Sequence, residues 1–127
     1  MDENNYNVPS HTKEKLHNLL ETFEGDVDDF FDEISAATEG REKLDLYYEF
    51  AEVCKQQEMD RAALQAYCLI LEKTVINHQV AQDFRQIALA AFRGVIFLHS
   101  SEDEYVWERT MSVIDHYEEA FNNNDPS

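Results

Sequence analysis

The sequence is poor in the residues that make turns, since its 127 residues include only three glycines and two prolines. Sheet proteins need many tight turns, so this scarcity, together with abundant Ala, Leu, Glu and Gln, favours helices. At this length the chain holds one domain with a single continuous core. An apolar content of 43% indicates a folded chain rather than a disordered one.

Long apolar runs are also lacking, since no stretch approaches the roughly 20 residues that a membrane-spanning helix needs. The first ten residues are polar and acidic, unlike a signal peptide. The two cysteines, Cys54 and Cys68, form no CxxC pair and lie among apolar residues, which is typical of buried free thiols in a reducing compartment. We therefore expect a cytoplasmic protein that does not associate with membranes.

Basic residues are scarce, with 10 Lys and Arg against 27 Asp and Glu, for a net charge of −17. The acids concentrate at the ends: residues 1–40 carry 11 acids and 2 bases, and residues 100–127 carry 8 acids and 1 base. Such a chain attracts basic proteins and repels nucleic acid. The candidate acidic surface consists of Asp26, Asp28, Asp29, Asp32, Glu33, Glu102, Asp103 and Glu104.

Recognisable catalytic and cofactor motifs are missing. The glycines are isolated, so no phosphate-binding loop exists, and the five histidines are scattered without an HExxH motif. The acidic stretch 24–33 is not a calcium loop, because Phe30 and Phe31 would occupy its fifth and sixth places, where an oxygen ligand and a glycine are needed. We therefore predict a non-enzymatic protein without a catalytic site, a metal site or a cofactor.

Six segments have helical periodicity, and they begin near residues 12, 26, 42, 60, 79 and 101. Asp26 and Asn77 are predicted N-caps, Gly25 and Gly40 follow helix ends, and the fifth helix spans residues 79–98. The sixth helix is expected to bury Trp107 and Met111. We predict a flexible acidic segment at residues 1–11, a single all-helical domain at 12–121 and a disordered tail at 122–127.

The stretch from residue 47 to 73 forms helix almost throughout, but its apolar stripe breaks in the middle. After Cys54 the four residues 55–58 are all polar, so one continuous helix would lose its buried face for a full turn. Asp60 is then a suitable N-cap for a second apolar stripe. The pattern predicts two antiparallel helices joined by a turn at residues 57–60.

The six helices pair as three hairpins whose first helices begin near residues 12, 43 and 79, about 31 and 36 residues apart. The middle hairpin resembles a tetratricopeptide repeat. The residues that match that family's pattern are Tyr47, Phe50 and Ala51 in the first helix and Ala63 and Tyr67 in the second; Cys54, Ile70 and Val75 depart from it. The match covers about 34 residues, the length of one such repeat. A right-handed solenoid of this kind and a compact helical bundle are the two expected arrangements of the all-α fold.

The resemblance implies a concave groove lined by outward positions of the first helix of each hairpin. In the middle repeat these candidate partner-binding positions are Asp45, Tyr48, Glu52 and Lys55. Tyr48 directly follows the core residue Tyr47, so the two cannot face the same core. Tyr48 is expected either to be exposed and to anchor a partner segment or to pack on a neighbouring hairpin.

Three functions remain open from the sequence. The first is a small acidic adaptor or chaperone that binds a helical or extended segment of another protein, similar in size and charge to type III secretion chaperones. The second is an acidic inhibitor or nucleic-acid mimic, of the immunity or anti-restriction type, that blocks a basic nucleic-acid-binding protein. The third is the terminal module of a larger repeat assembly, which needs an apolar open edge. The sequence leaves the oligomeric state open.

Overall fold

The computed structural model describes residues 6–123, and within this range the all-α class predicted from the sequence is confirmed. The helices are α1 Ser10–Thr22, α2 Val27–Ala37, α3 Gly40–Gln56, α4 Asp60–Thr74, α5 Arg85–Leu98 and α6 Glu104–Asn123, and the strands are β1 Val75–Ile76 and β2 Gln79–Val80. None of the described helices is long and apolar enough to cross a membrane. The expectations for residues 1–5 and 124–127 lie outside the described range.

The helices are arranged around the hairpin of α3 and α4, which have the most extensive mutual contact of any two elements. On one side, α1 and α2 each pack against α3 rather than closely against each other, so this first pair is looser than the expected hairpin. On the other side, α5 packs against α4, and α6 packs against both α5 and α4. The core therefore runs continuously through all six helices.

The turn between α3 and α4 lies where the polar interruption predicted it. Helix α3 ends at Gln56, Glu58 takes a left-handed conformation with φ +62°, and the Met59 amide donates to the Cys54 carbonyl oxygen at 2.8 Å. Asp60 is the first residue of α4 rather than its N-cap, which is Met59. The Asp60 carboxylate instead accepts a hydrogen bond from Ser101 Oγ at 2.6 Å, which ties this turn to the α5–α6 loop.

Glycine and tyrosine make a close crossing at the centre of the core. Tyr67 of α4 is fully buried, and a Cβ built at Gly94 of α5 would lie 2.6 Å from both Cε carbons of its ring. Real Cβ atoms do not approach other heavy atoms so closely, so the ring position requires a residue without a side chain there. The Tyr67 hydroxyl then donates to Glu52 of α3 at 2.5 Å, so this one side chain connects α3, α4 and α5.

Aromatic rings hold α2 on α3. The Phe30 ring lies 4.8 Å from that of Phe50, and Phe31 contacts Phe50 and Tyr47 edge-on at 5.4 and 5.8 Å. Asp26 caps α2 as predicted, since its carboxylate accepts from the Asp29 amide at 3.0 Å. Both phenylalanines are buried and form the inward face of α2.

The segment between α4 and α5 was wrongly predicted as the start of a helix. It forms a two-stranded hairpin in which Val75 pairs with Val80 and Ile76 with Gln79. The two turn residues, Asn77 and His78, have φ values of +56° and +63°, the backbone of the tight turns that favour Asn. Asn77 is therefore a turn residue and not an N-cap, and α5 begins six residues later than expected, at Arg85.

Two predicted glycine positions also differ from the structure. Helix α1 ends at Thr22, and Phe23 is already extended, so Gly25 with φ +147° lies in the linker rather than directly after the helix. Gly40 does not end α2, which stops at Ala37, but begins α3 with φ +65°. Both glycines occupy conformations that other residues rarely adopt.

The contact of Tyr67 with Gly94 predicts that a Gly→Ala substitution in α5 lowers the free energy of unfolding, which is opposite to its usual effect in a helix. Gly→Ala inside a helix normally stabilises by up to about 1 kcal/mol, but Gly94→Ala should destabilise by about 1–3 kcal/mol because the methyl group collides with a buried ring. Urea denaturation measures the change. Tyr67→Leu removes the ring, so the alanine should cost clearly less in that background; equal costs in both backgrounds would contradict the collision.

Candidate interaction surfaces

The four residues predicted to line a groove lie on one stripe of α3, as their spacing of three and four residues requires. The expectation that Tyr48 is exposed is nevertheless wrong. Tyr48 keeps only 8% of its surface accessible and Asp45 only 4%. Glu52 and Lys55, further along the stripe, are half-buried.

The cover over Asp45 and Tyr48 is the segment that precedes α1, residues 6–9, which we call the N-terminal strap. The Tyr6 hydroxyl donates to Asp45 Oδ1 at 2.7 Å and accepts from Arg41 Nε at 3.1 Å. Its ring meets that of Tyr48 edge-on at 5.4 Å. Together with the buried Val8, these contacts show that residues 6–9, which the sequence placed in a flexible segment, lie on the domain.

Electrostatics keeps the phenols of this region protonated. Burial raises the pKa of Tyr48, and the carboxylates of Glu52 and Glu49 raise it further. Burial is also the largest cause of the raised pKa of Tyr6, opposed by its hydrogen bond with Arg41. Tyr6 therefore stays a hydroxyl that can donate to the buried Asp45 carboxylate throughout the neutral range.

The exposed end of the stripe is formed by Glu52 and Lys55 together with Phe97 of α5. Glu52 Oε2 accepts from the Tyr67 hydroxyl and from Lys55 Nζ at 3.3 Å. The Lys55 ammonium also lies 4.7 Å from the centre of the Phe97 ring, which is 59% exposed. An aromatic ring with a cation above it is thus accessible at this end of α3.

Two acidic stretches, at the beginnings of α2 and α6, lie on the same face of the domain, beside α4. Gln65 Nε2 donates to Asp28 Oδ1 at 2.9 Å, and Arg61 Nε donates to Asp103 Oδ2 at 2.8 Å. Arg61 and Gln65 are one helical turn apart, so the beginnings of α2 and α6 flank one stretch of α4. Of the eight candidate acidic residues, only Asp103 is half-buried, and the Arg61 guanidinium holds the pKa of its carboxyl below the usual range.

The acidic face also contains arginines. Arg61 and Arg109 line a cleft of about 560 Å³ between α4 and α6, together with Asp28, Glu72 and Tyr105. The Arg61 guanidinium lies 4.7 Å from the centre of the Tyr105 ring. Positive charge therefore interrupts the carboxylates in the middle of this face.

An apolar surface that the sequence did not predict lies on the last two helices. Trp107 and Met111 of α6, expected in the core, are 43% and 45% exposed, and Ile96 of α5 is 47% exposed. We call these three residues the α5–α6 edge. Trp107 rests on the His99 imidazole with ring centres 5.6 Å apart, which fixes one end of the edge.

The register of the two helices places these three side chains on one side. The Phe92 ring stacks on Phe121 at 4.4 Å, and His99 contacts Trp107, so α5 and α6 run antiparallel with both ring pairs at the seam between them. Ile96 lies four residues after Phe92 and three before His99, and therefore shares their side of α5. Met111 follows Trp107 by four residues on the same side of α6, so the three exposed apolar side chains border the seam between the two helices.

Cys54 is buried and Cys68 is half-buried, and both are free thiols. Burial is the largest cause that raises the pKa of each thiol to about 11. Within residues 6–123, no cluster of three or more His, Cys, Asp or Glu side chains is arranged to hold a metal ion.

Comparison of the chain with protein-family models, curated proteins and solved structures found no match. The tetratricopeptide-repeat resemblance therefore stays a prediction.

Truncation of Tyr48 should now cost as much as truncation of a core residue. Tyr48→Ala and Phe50→Ala are each expected to lower the free energy of unfolding by about 3–5 kcal/mol. The exposed Tyr105 is the matched control, since Tyr105→Ala should cost about 1 kcal/mol at most. Chemical denaturation measures all three, and a Tyr48→Ala loss as small as that of the control would contradict the burial.

The raised thiol pKa values predict slow alkylation of the native protein. At pH 8 a thiol with a pKa near 11 is about 0.1% thiolate, so iodoacetamide should react roughly a hundredfold more slowly than with the same chain in denaturant. The rate should rise about tenfold per pH unit between pH 8 and 10. Mass spectrometry of the modified cysteines gives both rates, and equal rates in native and denatured chains would contradict the prediction.

Proposed function

We propose that the protein is a non-enzymatic interaction module that binds an amphipathic helix of another protein along the α5–α6 edge. The observation that carries this proposal is the exposure of the α5–α6 edge: Ile96, Trp107 and Met111 are each more than two-fifths exposed on adjacent helices. Contiguous exposed apolar side chains on a soluble domain mark interaction sites more often than scattered ones. Trp and Met are also among the residues enriched at the centres of interfaces.

The charge beside the α5–α6 edge defines the partner further. Glu104, Glu108 and Asp115 follow one another along α6 next to Trp107 and Met111, and all three are exposed. A helix whose apolar face covers the edge would bring its flank against these carboxylates. The partner is therefore an amphipathic helix with Lys or Arg along one side.

The experiment uses Trp107, the only tryptophan of the chain, as the reporter. The probe is a Leu/Lys amphipathic peptide of about 18 residues, or five helical turns. Its binding should shift Trp107 emission to shorter wavelengths, because the indole loses water contact. The Ile96→Ser/Met111→Ser variant should bind at least about tenfold more weakly, since truncated interface anchors cost about 1 kcal/mol or more each.

Two controls separate apolar contact from general attraction between opposite charges. Ile76→Ser removes an apolar side chain that is even more exposed, at 61%, from the β1–β2 hairpin and should leave the peptide affinity unchanged. The corresponding Leu/Glu peptide should not shift the emission. Equal affinities of the Ile96→Ser/Met111→Ser variant and the unmodified chain would contradict the proposed site.

The second candidate function is that of an acidic inhibitor or nucleic-acid mimic. It is favoured by the two hydrogen bonds that bring Asp28 and Asp103 beside the same stretch of α4. Arg61 and Arg109 weigh against it, since phosphate mimicry calls for an uninterrupted row of negative charges.

A charge variant separates the two functions. Asp28→Asn, Asp29→Asn, Asp32→Asn and Glu102→Gln together should slow association with the Leu/Lys peptide while leaving dissociation nearly unchanged, because peripheral charges act mainly on the association rate. Loss of binding in this variant, with binding retained in the Ile96→Ser/Met111→Ser variant, would make the acidic face the functional surface.

A further inference from the structure

The N-terminal strap lies on α3 in the manner of a bound peptide. It has no helical or strand structure, and its side chains alternate: Tyr6 and Val8 point toward the domain, whereas Asn7 and Pro9 are exposed. Val8 is 6% exposed. An extended segment that inserts every second side chain is a common form of peptide recognition.

Only side chains attach residues 6–8 of the strap to the domain. Within the described residues, no backbone–backbone hydrogen bond involves residues 6–8. The first two along the chain are those that the Pro9 carbonyl oxygen accepts from the Thr12 and Lys13 amides in the first turn of α1. The strap can therefore leave α3 without breaking any element of secondary structure, turning about Pro9. Its departure requires only the loss of the Tyr6 and Val8 contacts.

The surface that receives the strap lies on α3 and combines a buried carboxylate with an aromatic ring. Asp45 is 4% exposed, and its carboxylate lies between the Tyr6 hydroxyl and Arg41 Nε, which is 3.6 Å away. The Tyr48 ring forms the adjacent wall. A buried carboxylate needs a donor, and a tyrosine hydroxyl fits this position while its ring packs on Tyr48.

We propose that Arg41, Asp45 and Tyr48 form a binding site for an extended segment of another protein that carries Tyr-x-Val, and that the strap occupies this site in cis. The resident Tyr6 and Val8 define the chemistry of the competitor. A second copy of this chain is a poorer competitor, because residues 1–40 carry 11 acids and 2 bases and two such copies repel each other. The site is separate from the α5–α6 edge.

Because the strap is tethered and competes for the site, it sets the binding affinity that a partner segment needs. A short tether gives the strap an effective concentration in the millimolar range, so a bare Tyr-x-Val segment binds the intact chain weakly. A longer partner segment gains further contacts along the same stripe, where Glu52, Lys55 and Phe97 are accessible. Such a segment displaces the strap at low concentration, whereas a shorter one displaces it only in large excess.

The experiment measures binding of a fluorescent peptide by anisotropy. The probe is the uncharged sequence of residues 4–9, Asn-Asn-Tyr-Asn-Val-Pro, with both ends blocked, and the protein is the full chain with Tyr6→Ala and Val8→Ala. Saturable binding is expected, at least about tenfold tighter than to the unmodified chain, in which the strap competes. A peptide with Phe in place of Tyr should bind roughly tenfold more weakly, because the buried Asp45 carboxylate loses its donor.

The proposal is wrong if the double variant keeps its helical circular-dichroism spectrum but shows no saturable binding. It is also wrong if the peptide binds the variant and the unmodified chain with equal affinity, or if the Tyr and Phe peptides bind with equal affinity. If the variant does not fold, an excess of the peptide is added to the unmodified chain. The NMR signals of the Tyr6 ring should then move to the positions of an unstructured tyrosine, and unmoved signals refute the site. If sedimentation shows a dimer that dissociates when the peptide is added, the occupant of the site is a second copy of this chain and not another protein.

Discussion

The contact between the Tyr67 ring and Gly94 is the constraint on which the rest of the domain depends. The ring is fully buried between α4 and α5 because position 94 lacks a side chain, and its hydroxyl reaches Glu52 on α3. Three helices are thereby placed at fixed distances from one another. The stripe of α3 that carries Asp45 and Tyr48, and the outward side of α5 that carries Ile96, both follow from this placement.

Local signals in the sequence predicted much of the fold. The polar residues 55–58 located the α3–α4 turn, and Asp26 was recognised as the cap of α2 because capping depends on neighbours a few residues away. The β1–β2 hairpin was not predicted, because two-residue strands are too short to show alternating apolar and polar residues. Asn77 suits both a helix cap and a left-handed turn, and only the surrounding structure decides between them.

The surfaces were harder to predict, since they depend on what lies far away in the chain. The spacing placed Tyr48 on one stripe of α3, but Tyr48 is buried, because its ring contacts Tyr67 of α4 and is covered by Tyr6, whose hydroxyl is bonded to a residue 39 positions away. Trp107 and Met111 belong to an apolar arc of α6 that a following helix would bury. Within residues 6–123 no such helix exists, so these side chains remain exposed and form the α5–α6 edge.

The tyrosines of the strap, of α3 and of α4 form a row from the surface to the centre of the core. The ring of Tyr6 contacts that of Tyr48 at 5.4 Å, and Tyr48 contacts Tyr67 at 6.0 Å. Occupancy of the outer position and order at the inner one are therefore thermodynamically linked, and linkage is reciprocal. At the proposed site, a segment that binds beside Tyr48 should therefore raise the melting temperature of the domain, and a change that loosens the packing around Tyr67 should weaken its binding.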